Sequence, residues 1–132
     1  MAKVIQLSEA ASLAIHAMVL IGRSKQLINV NVIADLTGAS KNHLAKVMQR
    51  LVKDNYIKST RGPAGGFMLN KPANEITLLN IYESIEGQII EKGCPMDRPV
   101  CAFEKCLMGG IIHRLTIEFR DYLNVQTLES YL

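Results

Sequence analysis

Between Ser8 and Gly22 the apolar residues Leu13, Ala17, Leu20 and Ile21 recur at helical spacing, with Ala10, Ala14 and Met18 beside them, which predicts a buried first helix. A second, short helix is predicted from Val30 to Leu36 on Val32, Ile33 and Leu36, and it stops at Thr37-Gly38-Ala39. Ser40 then stands where an N-cap belongs, ahead of Leu44, Val47, Met48 and Leu51 spaced at three and four residues, and this third helix should end near Asp54-Asn55. The period changes next. Tyr56 to Thr60 alternates and carries β-branched residues, and Phe67-Met68-Leu69 resumes the extended pattern after a glycine-rich tip, which predicts a hairpin. Thr77 should cap a fourth helix holding Leu78, Leu79, Ile81, Tyr82 and Ile85, closed by Gly87. A long amphipathic helix is predicted from Leu107 to Leu123, with Ile111, Leu115, Phe119 and Tyr122 or Leu123 as its apolar stripe, and Thr127 can cap one last turn. The fold expected is mainly α with one small β-hairpin.

Length and composition narrow this picture. A chain of 132 residues with 48% hydrophobic and 20% charged content is an ordinary folded domain, of a size that often shares a surface with a second copy of itself. The stripe on the last helix needs a partner, and the same helix of a second chain would supply one. Leu13 to Ile21 ends at Gly22, Arg23 and Lys25, too short to cross a bilayer, and the N-terminus does not resemble a signal peptide. A cytoplasmic protein is expected, where thiols stay reduced.

The net charge of +3 is small, but it is unevenly placed. From Lys41 to Arg61, Lys41, Lys46, Arg50, Lys53, Lys58 and Arg61 face a single acid, Asp54, whereas Glu75, Glu83, Glu86 and Glu91 follow with no base between them. The first of these segments suits a polyanion. It is also the segment that reads as a helix-turn-helix, with Ala34 where the two helices cross and Gly38 at the turn. Ser40, Lys41, Asn42 and His43 would then enter the major groove, Asn42 as an adenine reader and Lys41 on guanine or phosphate, with Lys46 and Arg50 further along the basic side. The hairpin supplies a wing. Gly62, Gly65 and Gly66 let its backbone lie near the sugar-phosphate surface, and Arg61 can contact phosphate or the minor groove. The glycine-rich tip lacks the Gly-Lys-Ser/Thr ending of a nucleotide-binding loop, and no nucleophile–base or carboxylate pair supports an enzyme.

The chain's three cysteines, Cys94, Cys101 and Cys106, are separated by six and four residues, with Pro95 and Pro99 between the first two. An odd number of thiols in a reducing compartment leaves metal ligation, redox sensing or plain packing. Thiolates suit zinc and iron–sulfur clusters equally, and a fourth ligand must come from elsewhere. His113 lies seven residues after Cys106, which on a continuous helix is roughly 10 Å along the axis, too far to share a small site.

Taken together, the Ile33-Ala34 helix, Ser40 to Leu51 with Gln49-Arg50-Leu51, the wing Arg61-Gly62-Pro63-Ala64-Gly65-Gly66-Phe67-Met68-Leu69, and Ile76-Thr77-Leu78 through Ile85-Glu86-Gly87 resemble the Rrf2 family of bacterial winged-helix transcription regulators. The wing string is the most specific piece, and the resemblance covers nearly the whole chain. It implies a winged helix-turn-helix DNA-binding domain over 1–74. Over 75–132 it implies a helix, a cysteine cluster loop and a long dimerisation helix. It further implies a homodimeric repressor or dual regulator of a double-stranded DNA operator. The three cysteines resemble the subset that binds a 2Fe–2S or 4Fe–4S cluster and senses iron, redox state, nitric oxide or cluster supply. One subgroup places a histidine three residues after the last cysteine, where this chain has Gly109. Other members draw ligands from the first helix of the opposite subunit. The alignment sets Ser12 at their carboxylate position and His16 at their histidine position, so His16 is the implied fourth metal ligand, with Glu9 a weaker candidate. Two alternatives stay open: a cluster-free regulator controlled by thiol oxidation or a partner protein, and a small zinc or electron-transfer protein.

Overall fold

The computed structural model describes residues 1–91 and 101–132. Helix α1 spans Glu9–Arg23, α2 Val30–Thr37 and α3 Lys41–Lys53; strands β1 Ile57–Thr60 and β2 Gly66–Leu69 form the hairpin; α4 spans Leu78–Glu86 and α5 Ile111–Val125. Short 3-10 turns at Ala73–Glu75 and Leu128–Tyr131 complete the described order.

Each of the first four helices begins on a side-chain cap, at Ser40 and Thr77 as the sequence predicts and at Ser8 and Asn29 besides. The Ser8 hydroxyl accepts from the Ala11 amide at 3.0 Å, Asn29 from Val32 at 3.0 Å, Ser40 from His43 at 3.1 Å, and Thr77 and Asn80 close a reciprocal capping box at 3.0 and 2.9 Å. Gly38 ends α2 in the left-handed region, at φ 72°, with its amide on the Ala34 carbonyl at 2.8 Å. That single residue sets the angle between α2 and α3. In the hairpin, β1 and β2 pair antiparallel with Ile57 opposite Leu69 and Thr60 opposite Gly66. Tyr56 falls just outside the strand predicted to include it, although its carbonyl still accepts from Asn70 at 3.0 Å.

One hydrophobic cluster holds these elements together. Met18 of α1, Ile33 of α2, Leu44, Met48 and Leu51 of α3, Ile57 of β1 and Ile81 of α4 are all essentially inaccessible, and Leu123 and Leu128 of the C-terminal segment join them. The C-terminal segment is sewn on by backbone bonds from Leu78 to Gln126 and from Leu128 to Ile76, each 2.9 Å. Packing is therefore continuous across the boundary placed at residue 74. Phe119 of α5 meets Tyr82 of α4 edge-on, with ring centroids 5.5 Å apart. Leu123 is the one buried residue of α5, and Tyr122 and Val125 stay exposed.

The last helix begins at Ile111, four residues later than the apolar stripe suggested. Residues 107–110 form turns because Gly109 and Gly110 both adopt positive φ, 60° and 75°, which an α-helix does not accommodate. Leu107 and Met108 are accordingly exposed instead of extending the helical stripe.

Candidate DNA-binding face and cysteine loop

Helix α3 presents its amino-terminal side chains outward. Lys41, Asn42 and Lys46 are exposed, while Leu44, Val47, Met48 and Leu51 turn into the core. Ser40 is exposed but its oxygen serves the His43 amide as the cap, so its first role is to fix where the helix starts. His43 is half-exposed and faces α1, with Nδ1 3.7 Å from a Glu9 carboxylate oxygen. Arg50 is held differently: its Nε–H donates to the Ser84 carbonyl of α4 at 2.8 Å. The Ser84 carbonyl belongs to the last turn of α4, whose carbonyls lack helical partners and carry the negative end of the helix dipole, so Arg50 acts there as a cap.

In the wing, Arg61 and Gly62 are exposed at the tip, and Gly62 has φ 108°. Gly65 and Gly66 are glycine for reasons internal to the protein. A Cβ on Gly65 would lie 2.1 Å from the Thr60 carbonyl oxygen, and one on Gly66 2.7 Å from the backbone of Ile28. Ile28 bridges the wing through reciprocal hydrogen bonds with Phe67, at 3.2 and 2.8 Å. The close approach the structure displays at both glycines is to the protein's own chain, where the sequence reading expected one to DNA.

The cysteine loop lies between α4 and α5. Cys94 lies outside the described residues; Cys101 and Cys106 are exposed free thiols. Backbone amides of Gly110, and then of Met108 and Gly109, hold the Cys106 thiol below its ordinary value, which favours the thiolate that metals and electrophiles require. Among the described residues no three histidine, cysteine or acidic side chains converge as a metal site. His16 is exposed on α1, and its Nδ1–H donates to the Ser12 carbonyl at 2.7 Å, which leaves Nε2 as the nitrogen free for coordination. His16, Ser12 and Glu9 line an open groove of about 930 Å³ along α1, together with Leu7, Val19 and Leu36.

The entrance to the loop is tied down. Glu91 forms an ion pair with Arg120 of α5, which holds its carboxyl below the usual range, and its carbonyl accepts from His113 Nδ1 at 3.2 Å. His113 thus sits beside a residue three positions before Cys94. The continuous helix on which it was set apart from Cys106 does not exist, because residues 107–110 are turns. The tie at Glu91, and the role of Ser84 under Arg50, were missed from sequence; the only signal for the latter was a lone small polar residue among Ile81, Tyr82 and Ile85.

Comparison with known proteins agrees with this architecture. The Rrf2 family profile, described as iron-dependent transcriptional regulator, matches residues 7–132. The chain is 29% identical over 98 residues to the HTH-type transcriptional regulator IscR of Pectobacterium carotovorum, covering 74% of this chain and 60% of that protein. It is 29% identical over 111 residues to the HTH-type transcriptional regulator NsrR of Oceanobacillus iheyensis, covering 82% of this chain and 75% of that one. In structure it resembles CymR, the global cysteine regulator of B. subtilis, with a TM-score of 0.78 at 22% identity over 97% of this chain and 98% of that one, a likeness of fold. The chain thus spans about 60% of the length of the IscR protein it matches. With a family profile covering all but its first six residues, the chain belongs to the Rrf2 family.

Proposed function

We propose that the protein is a homodimeric, cytoplasmic winged-helix transcription regulator whose operator affinity is set by an iron–sulfur cluster bound through Cys94, Cys101 and Cys106, with His16 of the partner subunit as fourth ligand. The observation that carries DNA binding is the ordered unit of Gly38 turn, Ser40-capped basic helix and glycine-tipped hairpin. Membership of the Rrf2 family and similarity to regulators of the IscR and NsrR type support it. Lys41, Asn42 and His43 would address base edges, and Lys46, Arg61 and the Gly62 backbone would track phosphate. Two recognition helices related by the dimer axis would read half-sites about one helical turn apart.

The donor set fits the cluster. Three thiols fall between positions 94 and 106 of the sequence, amides stabilise the Cys106 thiolate, and the ring orientation of His16 leaves one nitrogen available on an exposed helix face. When bound, the cluster supplies an iron- and redox-sensitive cross-link. The chain's own part is to hold the loop entrance on α5 through Arg120 and His113, and to present His16 in the α1 groove. That groove and the exposed Tyr122 and Val125 of α5 are apolar surfaces suited to a second copy.

Anaerobic purification, with a visible spectrum and iron, sulfide and zinc analysis, tests the cofactor. DNA binding by the loaded, oxidised and metal-free forms tests its role. Equal affinity of all three forms for the same DNA refutes cluster control. His16→Ala should change the spectrum of the loaded protein, and an unchanged spectrum removes His16 from the ligand set. A second reading, a cluster-free regulator controlled by thiol oxidation, is favoured by the exposure of Cys106 and the amides that lower its thiol, and it predicts protein lacking iron whose DNA binding changes on oxidation alone.

A further inference from the structure

We propose that the last turn of α4 is a relay between the cysteine loop and the recognition helix, with Ser84 as its positioning residue. The relay rests on the regulatory reading above and assigns its mechanical path. Within residues 83–86, α4 reaches three other parts of the molecule. The Glu83 carboxylate accepts from the Ile89 amide at 2.7 Å, fixing the chain where it leaves Gly87 for the loop. The Ser84 hydroxyl donates to the Asp54 carboxylate at 2.5 Å, while its carbonyl accepts from Arg50 at 2.8 Å. Glu86 takes the hydroxyl of Ser8, the residue that caps α1. Glu91 then extends the chain of contacts to Arg120 and His113 of α5.

Three features make this junction a lever. Arg50 and Asp54 stand one turn apart at the end of α3, so a single residue of α4 grips the recognition helix at two points. Ser84 is the one buried polar residue among those described, and a buried, fully bonded hydroxyl has a single favourable arrangement to lose. The wing is drawn in as well. Burial raises the pKa of Tyr56, just before β1, with the Asp54 and Glu83 carboxylates adding to the effect, so both ends of the relay border the base of the hairpin. A displacement of the loop at Ile89 thus moves Glu83, and the next residue in sequence holds α3. The remainder of α4 is clamped by Leu78 and Ile81 in the core, so movement is directed to its last turn.

Hydrogen exchange read by mass spectrometry on the full-length protein measures this coupling, with cluster-loaded protein compared to the same preparation after chelation. In the wild type, removing the cluster should speed exchange in the loop and also in the last turn of α3, by about fivefold or more if the coupling has ordinary allosteric strength. In Ser84→Ala the loop should still respond while the α3 response falls below about twofold. Glu83→Ala severs the path on the loop side and should give the same loss, which keeps the test decisive if Ser84→Ala does not fold cooperatively. The relay is overturned if α3 responds equally in wild type and variants, or if the loaded wild type shows a loop response and no α3 response. Iron and sulfide content of the same samples separates the two ideas. A wild type that takes up no cluster overturns cluster control together with the relay, whereas a loaded wild type with a silent α3 overturns the relay alone.

Discussion

Replacing Gly66 by alanine separates two reasons for a glycine in the wing. If Gly66 serves DNA alone, the variant keeps its stability and loses only operator affinity. The structure predicts the reverse order of effects. A Cβ there would lie 2.7 Å from both the carbonyl carbon and the oxygen of Ile28 and 3.0 Å from its nitrogen, so its three nearest neighbours are all backbone and no flexible side chain among them can yield. The chain then has two options. It can part the bridge between Ile28 and Phe67, losing hydrogen bonds of 3.2 and 2.8 Å, at a net cost of about 1–3 kcal/mol for the two. Otherwise it stays overpacked, which also costs about 1–3 kcal/mol. Urea unfolding at fixed protein concentration should show a lower midpoint with little change in slope. Gly62→Ala probes backbone strain without a contact: nothing lies within 4 Å of its Cβ, but φ is 108°, beyond the left-handed helical region, so strain of about 1–3 kcal/mol is its only expected penalty and the Ile28 bridge should stay intact. An unfolding midpoint for Gly66→Ala equal to the wild type would refute the argument that Ile28 dictates the glycine.

Lys46→Ala should weaken binding to all DNA sequences alike and reduce the slope of log affinity against log salt by about 0.9, as expected for one lost phosphate contact; an unchanged slope removes Lys46 from the interface. Leu128 is completely buried beside the bonds that tie the C-terminus to Ile76, so Leu128→Ala should cost about 2–5 kcal/mol in denaturant unfolding. Arg120 lowers the Glu91 pKa, so the loop tie contributes fully above the ordinary carboxylate value and is lost as pH falls through the depressed folded one. An NMR titration of Glu91 should move up toward its ordinary value in Arg120→Ala, and an unmoved titration would refute the ion pair.

The order of elements was legible because its signals are local. Ser8, Ser40 and Thr77 sit three residues before the amides they cap or just ahead of apolar stripes, and Gly38 needs only its own φ to end α2. The start of α5 was misread for an equally local reason. Leu107 and Met108 continue the hydrophobic period, and Gly109-Gly110, two adjacent residues free to adopt positive φ, outweigh it. The candidate site was legible as a list of residue types but not as a set of contacts. Basic spacing along α3 marks Arg50 as outward-facing without revealing that an α4 carbonyl, 34 residues later in the chain, claims its Nε–H.

Arg50 shows why that distinction matters for function. Counted as a phosphate contact, it would contribute to affinity in the same way as Lys46. Bound to the end of α4, it reports the position of α4 to the recognition helix, and its charge is partly committed to a helix dipole. The two roles predict different losses. Removal of a phosphate contact lowers affinity in both regulatory states and leaves their ratio unchanged. Removal of a tie between α4 and α3 lowers the ratio itself, because the recognition helix no longer follows the loop. Arg50→Lys keeps the positive charge but loses the planar Nε–H donor, so it should preserve the salt dependence of DNA binding while reducing the difference in affinity between loaded and metal-free protein. An Arg50→Lys variant that kept the full difference would refute the tie, and a salt slope reduced by about 0.9 in Arg50→Ala would return Arg50 to the DNA interface.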